Sequence, residues 1–441
     1  MTCLIYWFRN DLRLQDNPAF ASACRQATHL LPVFCHDPQA AAVTPWGFER
    51  VGPHRRQFLA QGLSDLSGQL RAMGSELMEV HGRAQDVLPE LARLLGSTRV
   101  LCETIAAPEE EAQVLALQAA GLSVESQWQS SLLDPADLPF TTEQLPELFT
   151  SFRQAVERAG VVPPAALPRA SRVPSLPAAS PEWVARLASW RLGAPQNVPG
   201  KPEARSSFPY HAPEFSGGEG AAKRHLSRYF DRKLAHTYKA TRNGLSGTDY
   251  SSKFSPWLAS GALSARSAYA ALKQFECEAG ANDSTYWLWF ELLWRDYFRF
   301  LHLKYGVQLY RERGLAHASQ ALAPTLHKPG GFNRWCQGET GEPLVDAGMR
   351  ELKATGYLSN RLRQVVASYL IHDLHGDWRA GAAWFESQLL DFDIYSNQGN
   401  WLYIAGRGTD PRGGRRFNPQ KQTQDHDAQG HYRALWLGGA L

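Results

Sequence analysis

The first 130 residues alternate apolar runs of strand length with helix-forming stretches, and this alternation restricts the fold more than any other feature of the chain. Residues 3–8 and 29–35 are the first two apolar runs, and Pro18 opens a helical stretch over 18–27 between them. The pattern continues through a helix over 53–73, strands near 76–80 and 99–103, a helix near 108–120 and a strand near 122–127. Because parallel strands need crossover connections, the sequence predicts a doubly wound α/β domain with a parallel sheet over residues 1–130.

The rest of the chain divides into a connector and a helical domain. Residues 131–217 are rich in Pro, Ala and Ser, which predicts an interdomain connector. Its aromatic residues should hold it to the surface: Phe140, Phe149, Phe152, Trp183 and Trp190. Helical periodicity dominates residues 218–441, with helices predicted over 221–233, 256–275, 285–305, 346–355, 360–372 and 378–390. The expected fold class is therefore α/β plus all-α.

The charge of the chain is distributed unevenly between its two halves. The formal net charge is +3, but residues 1–220 hold 18 Lys and Arg against 23 Asp and Glu, whereas the remainder holds 28 against 20. Basic side chains gain affinity for phosphates by releasing condensed counterions, so this asymmetry predicts that the second half meets a polyanion. A chance distribution is the alternative.

Cysteine usage and the N-terminus exclude several classes of protein. The six cysteines, Cys3, Cys24, Cys35, Cys102, Cys277 and Cys336, form no CxxC pair and no metal-ligand spacing, which predicts neither a disulfide framework nor a metal site. The N-terminus lacks the basic flank and cleavage site of a signal peptide, and no run of about 18 apolar residues predicts a membrane span. We therefore expect a cytoplasmic protein without membrane contact.

A loop before residue 256 concentrates hydroxyl groups and one lysine. The segment that contains Gly244 and Gly247 continues into Ser251, Ser252, Lys253 and Ser255. Pro256 is predicted to be the first residue of a helix. Hydroxyls, backbone N–H groups and a helix N-terminus together suit the pyrophosphate of a dinucleotide. A serine-rich N-cap without a ligand is the alternative.

Within the helix predicted over 285–305, four side chains share one face. Glu291, Trp294, Arg295 and Phe298 follow the spacing i, i+3, i+4 and i+7. A carboxylate, an aromatic plate and a guanidinium should therefore line one wall of a site. A buried structural ion pair between Glu291 and Arg295 is the alternative.

Two polar stretches follow in the helical half. Asn360, Arg363 and Gln364 share a helical face, where they could contact a heterocyclic ring or form only a polar rim. Residues 391–403 are expected to form a polar turn after a helix, and it contains Asp391, Asp393, Asn397, Trp401 and Tyr403. Such a turn is costly to bury unless it binds a ligand.

A glycine-rich basic loop lies near the C-terminal end of the chain. Its cationic residues are Arg407, Arg412, Arg415, Arg416 and Lys421. Contacts of this kind position a nucleic acid on the protein without reading its sequence. A solvated basic turn is the alternative.

In order along the chain, these segments closely resemble the photolyase/cryptochrome family. The resemblance covers nearly the whole chain, from Trp7-Phe-Arg-Asn-Asp-Leu-Arg-Leu14 through Trp294-Arg-Asp296 to Asn397-Gln-Gly-Asn-Trp401. Details similar to the cryptochrome DASH branch are Thr-Tyr-Trp287, Thr-Gly-Tyr-Leu-Ser-Asn-Arg-Leu-Arg-Gln364, Gly-Asn-Trp-Leu-Tyr403 and Arg416-Phe-Asn-Pro-Gln-Lys-Gln422.

The resemblance implies an FAD cofactor and a role for each matching position. Its phosphates and ribitol would contact Tyr238, Ser251, Ser252, Lys253, Phe254 and Ser255. The flavin would lie among Arg295, Asn360, Arg363, Asp391, Asp393 and Asn397, with Asn397 facing N5. A flipped-out pyrimidine dimer would meet Glu291 through hydrogen bonds and Trp294 through stacking, with Asn360, Gln364 and Tyr403 completing the catalytic set.

The implied reaction is blue-light-driven repair of cyclobutane pyrimidine dimers. In DASH-type members the preferred substrate is single-stranded DNA, and Tyr403 and Gln364 stand where double-strand photolyases carry a larger aromatic and an apolar residue. RNA and undamaged DNA are further candidate partners, and a monomer is expected. A (6-4) photolyase would need a histidine pair where Asn360 and Gln364 stand. A photoreceptor that binds FAD and signals without repair is the principal alternative.

The resemblance also implies an electron-transfer chain and an antenna pigment. Trp401 and Trp378 match the first two tryptophans of the chain, but Thr325 stands at the surface position. The expected antenna is 5,10-methenyltetrahydrofolate near Glu109 and Glu110, with Glu103 nearby. An ordinary acidic first turn of a helix, a deazaflavin or an empty pocket remain alternatives.

Overall fold

The computed structural model describes residues 3–178, 180–191, 201–316, 327–410 and 413–438. Its N-terminal domain contains a parallel five-stranded sheet in the order β3-β2-β1-β4-β5. The strands are β1 (Cys3–Phe8), β2 (His29–His36), β3 (Met78–His81), β4 (Arg99–Glu103) and β5 (Ser123–Gln127). The predicted α/β fold is confirmed, because each strand lies within about two residues of its predicted place.

Helices cover both faces of this sheet. They are α1 (Pro18–Gln26), α2 (Pro53–Ala72), α3 (Ala84–Leu95) and α4 (Pro108–Ala119). Because side chains alternate along β1, Trp7 packs in an apolar cluster with Leu88 of α3, while Tyr6 packs in another with Phe20 of α1. Helix α3 was not predicted; it carries an internal proline, Pro89.

The connector contains α5 (Phe149–Arg158), α6 (Pro181–Arg191) and the short 3₁₀ helices Pro135–Asp137 and Thr142–Gln144. Phe149, Phe152 and Trp183 are buried, and Phe140 and Trp190 are partly buried. The connector therefore packs against both domains through these aromatic residues. The domain boundaries at residues 130 and 217 stay a prediction.

The second half is helical, as predicted. Its helices are α7 (Glu219–Asp231), α8 (Tyr238–Thr241), α9 (Ser255–Ser260), α10 (Ala265–Ala279), α11 (Asp283–Tyr305), α12 (Pro329–Gln337), α13 (Pro343–Thr355), α14 (Asn360–Ser368), α15 (Trp378–Gln388), α16 (Ile394–Ala405), α17 (Pro419–His426) and α18 (His431–Leu437). A π-helical turn, Tyr369–Asp373, extends α14. Within the described residues, no helix combines the length and apolar character needed to span a bilayer.

Two expectations for the helical half were wrong. The single helix predicted over 256–275 is two helices, because Gly261 ends α9 with a φ of +72°. A Cβ at Gly261 would lie 1.9 Å from the carbonyl oxygen of Asn10, so this glycine also lets the two domains approach. The polar turn expected over 391–403 is largely helix α16, which starts after Asp393 because that carboxylate caps it by accepting the Ser396 N–H at 2.8 Å.

Buried carboxylates join the domains through backbone hydrogen bonds. Asp296 of α11 accepts from the N–H groups of Leu132 and Leu133 at 2.9 and 2.7 Å. Glu219 at the start of α7 accepts from the N–H groups of Leu14 and Gln15. These contacts fix α11, which carries one wall of the site, to the start of the connector, and they fix α7 to the α/β domain.

Candidate functional site

A cavity of about 400 Å³ lies within the helical domain. Most of the residues predicted for the site line it: Tyr238, Ser251, Ser252, Lys253, Phe254, Ser255, Glu291, Trp294, Arg295, Asn360, Arg363, Gln364, Asp391, Asp393 and Tyr403. Asn397 and Trp401 line a smaller adjoining cavity of about 80 Å³, which shares Asn360 and Arg363 with the first. The fold thus gathers into one region segments that are far apart in sequence.

Helix α11 forms one wall of the cavity. Glu291, Trp294, Arg295 and Phe298 all line it, as their helical spacing predicted. Helix α16 crosses close to this wall, as the position of Gly399 shows. A Cβ at Gly399 would lie 2.1 Å from the ring of Phe298. A glycine at that position is what permits the close approach of the two helices.

Glu291 does not form the alternative ion pair with Arg295. It is paired instead with Arg242, whose guanidinium also lies 4.7 Å from the ring centre of Trp287. Arg295 donates to the carbonyl oxygens of Ser130 and Leu258. The side chains of Glu291 and Arg242 are 33% and 22% exposed, so this pair lies at the mouth of the cavity.

The indole of Trp294 is held by the connector. Its ring is stacked on Phe149 of α5, with the centroids 3.8 Å apart and the planes 13° from parallel. Tyr403 approaches it edge-on at 6.3 Å. The stack fixes one face of the indole and therefore its orientation in the cavity.

The serine-rich end of the cavity contains a buried cation. Lys253 has a φ of +57°, and its ammonium group lies 3.3 Å from the ring centre of Tyr250 and 3.5 Å from the hydroxyl of Tyr357. Burial lowers the pKa of Lys253 well below its usual value. Among the described residues no carboxylate lies within ion-pair distance of this ammonium group.

The geometry does not favour a serine-rich N-cap at this end. Helix α9 begins at Ser255, which places Pro256 at its second position and Phe254 at its N-cap, without a capping side-chain hydrogen bond. Ser251, Ser252 and Ser255 instead line the cavity.

The middle of the cavity is built on two ion pairs whose carboxylates are largely buried. Arg363 donates to both carboxylate oxygens of Asp391 at 3.0 and 2.8 Å, and Arg299 contacts Asp393 at 2.6 Å. Burial alone would raise the pKa of Asp393, but Arg299 and Arg295 outweigh it and hold this pKa well below its usual range. Burial and the nearby Arg299 lower the pKa of Arg295 to about 10.

Several residues that line the cavity or its mouth were given no role from the sequence. They are Arg242, Tyr250, Tyr357, Arg361 and Asn400. Arg361 donates to the amide oxygens of Gln364 and Asn243 at 3.2 and 2.9 Å. Burial, and then the proximity of Arg242, lower the pKa of Arg361, so two guanidiniums lie near each other at the mouth. Arg242 and Tyr250 lie within the segment singled out for anion binding, which was the available signal.

Of the two tryptophans matched to an electron-transfer chain, Trp401 lines the smaller cavity and Trp378 begins α15. Trp401 and Trp378 are both buried, and the indole N–H of Trp378 donates to the carbonyl of Glu312 at 3.0 Å. The side-chain amide of Asn397 donates to the carbonyl of Ala382 at 3.1 Å. Thr325 lies outside the described residues.

The basic loop fits phosphate contacts only in part. Arg407 is 5% exposed and donates to the carbonyl of Glu312 at 2.7 Å, so its selection as a DNA contact was wrong. Arg416 and Lys421 are 66% and 72% exposed, and Arg415 lies over the ring of Tyr403. Arg412 lies outside the described residues.

Of the acidic residues implied for an antenna, Glu109 and Glu110 lie in the first turn of α4, and Glu103 ends β4. Glu109 is largely exposed and pairs with Arg50, which also bridges to Glu386 of α15. Glu103 and Glu110 each have a buried carboxylate oxygen without a hydrogen-bond partner. Burial raises the pKa of Glu110, and it raises that of Glu103 to about 7.

Comparison with known proteins decides the family. The family model for DNA photolyase matches residues 4–171, and that for the FAD-binding domain of DNA photolyase matches residues 287–439. Cryptochrome DASH of Gloeobacter violaceus is 43% identical over 439 residues, which cover 98% of this chain and 85% of that protein. The chain belongs to the photolyase/cryptochrome family, in its cryptochrome DASH branch.

Other members of the family agree in sequence and fold. Cryptochrome DASH of Xenopus laevis is 42% identical over 98% of this chain and 82% of its own length. The crystal structure of a Synechocystis cryptochrome superposes with a TM-score of 0.89 at 40% identity, covering 99% of this chain and 89% of that one. A class III photolyase from Agrobacterium tumefaciens gives a TM-score of 0.80 at 27% identity, covering 99% and 86%.

As a cryptochrome DASH family member with an FAD-binding domain, the chain has a cavity that fits the cofactor. Within the described part of the chain the buried ammonium of Lys253 has no ion-pair partner, and hydroxyl groups of three serines line the same end, which suits a pyrophosphate. The cavity volume lies within the range of about 300 to 1,000 Å³ that is typical of cofactor sites. Donors and acceptors on Asn360, Arg363 and Asp393 line the part that would hold the heterocyclic ring.

Proposed function

We propose that this protein repairs cyclobutane pyrimidine dimers under blue light, with a preference for single-stranded DNA. One observation carries the proposal: the residues suited to a flavin and those suited to a flipped-out dimer line the same cavity. When bound, reduced FAD supplies the light-driven electron that splits the cyclobutane ring and receives it back. The protein supplies position, hydrogen bonds and exclusion of water.

Trp294 provides the surface on which the dimer stacks. Because Phe149 already covers one face of the indole, the ring keeps its orientation without the substrate. Stacking of a base on an aromatic side chain is worth about 1–3 kcal/mol and does not depend on sequence. Tyr403 adds a smaller aromatic surface beside it.

Glu291 and Arg242 can exchange partners when DNA binds. A phosphate group of the strand competes for the guanidinium of Arg242, which frees the carboxylate of Glu291. That carboxylate can then accept a hydrogen bond from a pyrimidine imide N–H. Gln364 has its amide oxygen engaged by Arg361, so its NH₂ group remains to donate to a pyrimidine carbonyl.

Preference for single strands follows from the cost of extracting the dimer. Removing it from a duplex requires unpairing and unstacking, which costs a few kcal/mol. Tyr403 offers less stacking area than an indole would, and Gln364 is polar. Binding in the cavity therefore offsets less of the free energy needed to unpair and unstack the dimer. Arg415, Arg416 and Lys421 would contact the strand backbone without selecting its sequence.

We also propose 5,10-methenyltetrahydrofolate as an antenna at the start of α4. Two buried carboxylate oxygens, on Glu103 and Glu110, have no donor among the described residues, and a pterin ring offers adjacent N–H and NH₂ donors. Of the two predicted contacts, Glu110 suits this role better than Glu109, which is exposed and paired with Arg50. Loss of the bound pigment's absorbance in Glu110→Gln but not in Glu109→Gln would support this choice.

Repair of a thymine dimer in a single-stranded oligonucleotide tests the main proposal. The FAD-loaded protein is reduced with dithionite and illuminated with blue light, beside dark samples and beside the isosteric variant Glu291→Gln. We expect light-dependent repair that is about tenfold slower in the variant, because a charge-assisted hydrogen bond is worth about 1.5 kcal/mol. Flavin-loaded protein that repairs nothing would instead favour a blue-light photoreceptor.

A further inference from the structure

Trp401 contacts a second tryptophan that lies outside the expected chain. Its ring centroid is 6.5 Å from that of Trp335, with the planes at 73°. The ring centroid of Phe385 lies 5.1 Å from that of Trp401 and 6.3 Å from that of Trp335, so this ring lies beside both indoles. Trp335 is fully buried in α12, where its N–H donates to the carbonyl of Val366. The two indoles are therefore neighbours both directly and through Phe385.

A line of rings continues from Trp335 towards the surface. Phe332 is stacked on it with centroids 5.8 Å apart, His327 lies 5.4 Å from Phe332, and Trp46 lies 4.8 Å from His327. Trp46 is partly exposed in the loop between β2 and α2. Aromatic side chains thus join Trp401 to solvent with no centroid spacing above 6.5 Å.

The expected route through Trp378 has no comparable continuation. Within the described part of the chain, Trp378 makes no ring contact of the kind that joins Trp401 to Trp335, and its N–H is held by the carbonyl of Glu312. The matching surface position, Thr325, is not an aromatic residue. An oxidised Trp378 would therefore have no surface tryptophan at the matching position to return an electron to it.

We propose that Trp335 and Trp46 form the electron relay that connects Trp401 to solvent in this protein. This proposal rests on the proposed function only in that FAD in the cavity absorbs blue light. One electron passes from Trp401 to the photoexcited oxidised flavin, Trp335 refills Trp401, and Trp46 refills Trp335. Phenylalanine and histidine are harder to oxidise than tryptophan, so Phe332 and His327 act as bridges between the two indoles.

The electron and proton balance closes at the surface. The oxidised indole of Trp46 loses its N–H proton to water, and a thiol added to the solution returns one electron and one proton. The net change is one electron gained in the cavity for each thiol oxidised. Burial of Trp335 keeps its oxidised form away from water until Trp46 refills it.

Spectroscopy of four matched Trp→Phe variants tests the relay. Trp46→Phe and Trp335→Phe remove the proposed members, Trp378→Phe removes the expected one, and Trp190→Phe is a control in the cluster of the N-terminal sheet. The measurements are the lifetime of the tryptophan radical by transient absorption, the distance between the light-induced spins by pulsed electron paramagnetic resonance, and the rate of photoreduction with thiol.

We expect Trp46→Phe to remove the longest spin distance and to slow photoreduction severalfold, with Trp335→Phe at least as severe and Trp190→Phe unchanged. Because Trp46 is partly exposed, its replacement should not disturb folding, which the bound-flavin spectrum checks. Unchanged radicals and rates in both variants, with loss in Trp378→Phe, would overturn the relay. Repair by dithionite-reduced protein does not use the relay, so a failure of the proposed repair activity appears separately.

Discussion

The inner part of the cavity and its mouth hold their charges in different ways. Inside, the side chains of Arg299 and Asp393 are 3% and 13% exposed, and they are paired with each other. At the mouth, Arg242 and Glu291 are 22% and 33% exposed and can exchange partners with a bound strand. Removing one member of a buried pair leaves an uncompensated charge, whereas water compensates at an exposed one. The inner pairs should therefore control folding and the cofactor, and the mouth should control the substrate.

The largest expected effect is that of Asp393→Asn. Asparagine keeps the N-cap of α16 but leaves the buried guanidinium of Arg299 without its counter-charge. We expect the free energy of unfolding to fall by about 3–5 kcal/mol, with loss of bound flavin. Urea unfolding followed by circular dichroism, together with flavin absorbance, measures both effects.

The exposed pair between Arg416 and Asp373 provides the control for that change. Asp373→Asn should cost no more than about 1 kcal/mol, because surface ion pairs contribute little.

The same comparison predicts a dependence on pH. The pKa of Asp393 is held below its unfolded value, so the contribution of Asp393 to the free energy of unfolding is present above about pH 4 and is lost as the pH falls through the lower folded pKa. Equal costs for the two variants, or the same acid sensitivity with and without Asp393, would contradict the comparison.

The next effect concerns the buried ammonium of Lys253. Because it has no carboxylate partner among the described residues, Lys253→Met should leave the apoprotein as stable as before or make it more stable. FAD affinity should fall roughly ten- to a hundredfold, as expected for a charge-assisted contact of about 1.5–3 kcal/mol. Equilibrium titration of apoprotein with FAD measures the affinity, and thermal unfolding measures the stability.

The exposed Lys273 of α10 offers a matched control for this substitution. Lys273→Met removes an ammonium that pairs with Glu276, and it should change neither FAD affinity nor stability appreciably. A Lys253→Met apoprotein that unfolds more easily while binding FAD normally would show that the ammonium is structural.

A smaller effect is expected at the mouth, in Arg242→Gln. Affinity for single-stranded DNA should fall uniformly across sequences, and the salt dependence of binding should weaken by about 0.7 in log–log slope, as for one phosphate contact. Flavin content and the free energy of unfolding should stay unchanged. Fluorescence anisotropy with labelled oligonucleotides at several salt concentrations measures the slope, with Arg186→Gln on the exposed face of α6 as the control. An unchanged slope would show that Arg242 does not contact a phosphate group of the strand.

The sequence predicted the fold class and the wall of α11 because both follow from local periodicity. The strand and helix alternation fixes the parallel sheet, and the i, i+3, i+4, i+7 spacing of Glu291 to Phe298 fixes a shared face. It did not predict that Glu291 pairs with Arg242, or that Phe149 stacks on Trp294, because those partners come from distant segments. Arg407 was misjudged for the same reason, since a basic loop in sequence does not show which of its cations is buried.

The smallest expected effect is that of Tyr403→Trp, at the mouth of the cavity. A larger ring beside Trp294 should offset more of the free energy needed to extract a dimer from a duplex, by about 1 kcal/mol. Repair of duplex substrate should therefore become roughly fivefold faster. A dimer in a single strand need not be unpaired from a partner strand, so its repair rate should change less. Initial repair rates of dithionite-reduced protein on matched single-stranded and duplex oligonucleotides give the ratio, with Tyr286→Trp on the exposed side of α11 as the control. If both rates rise equally, Tyr403 affects dimer binding in general; if the ratio moves towards duplex, the size of this ring contributes to the single-strand preference.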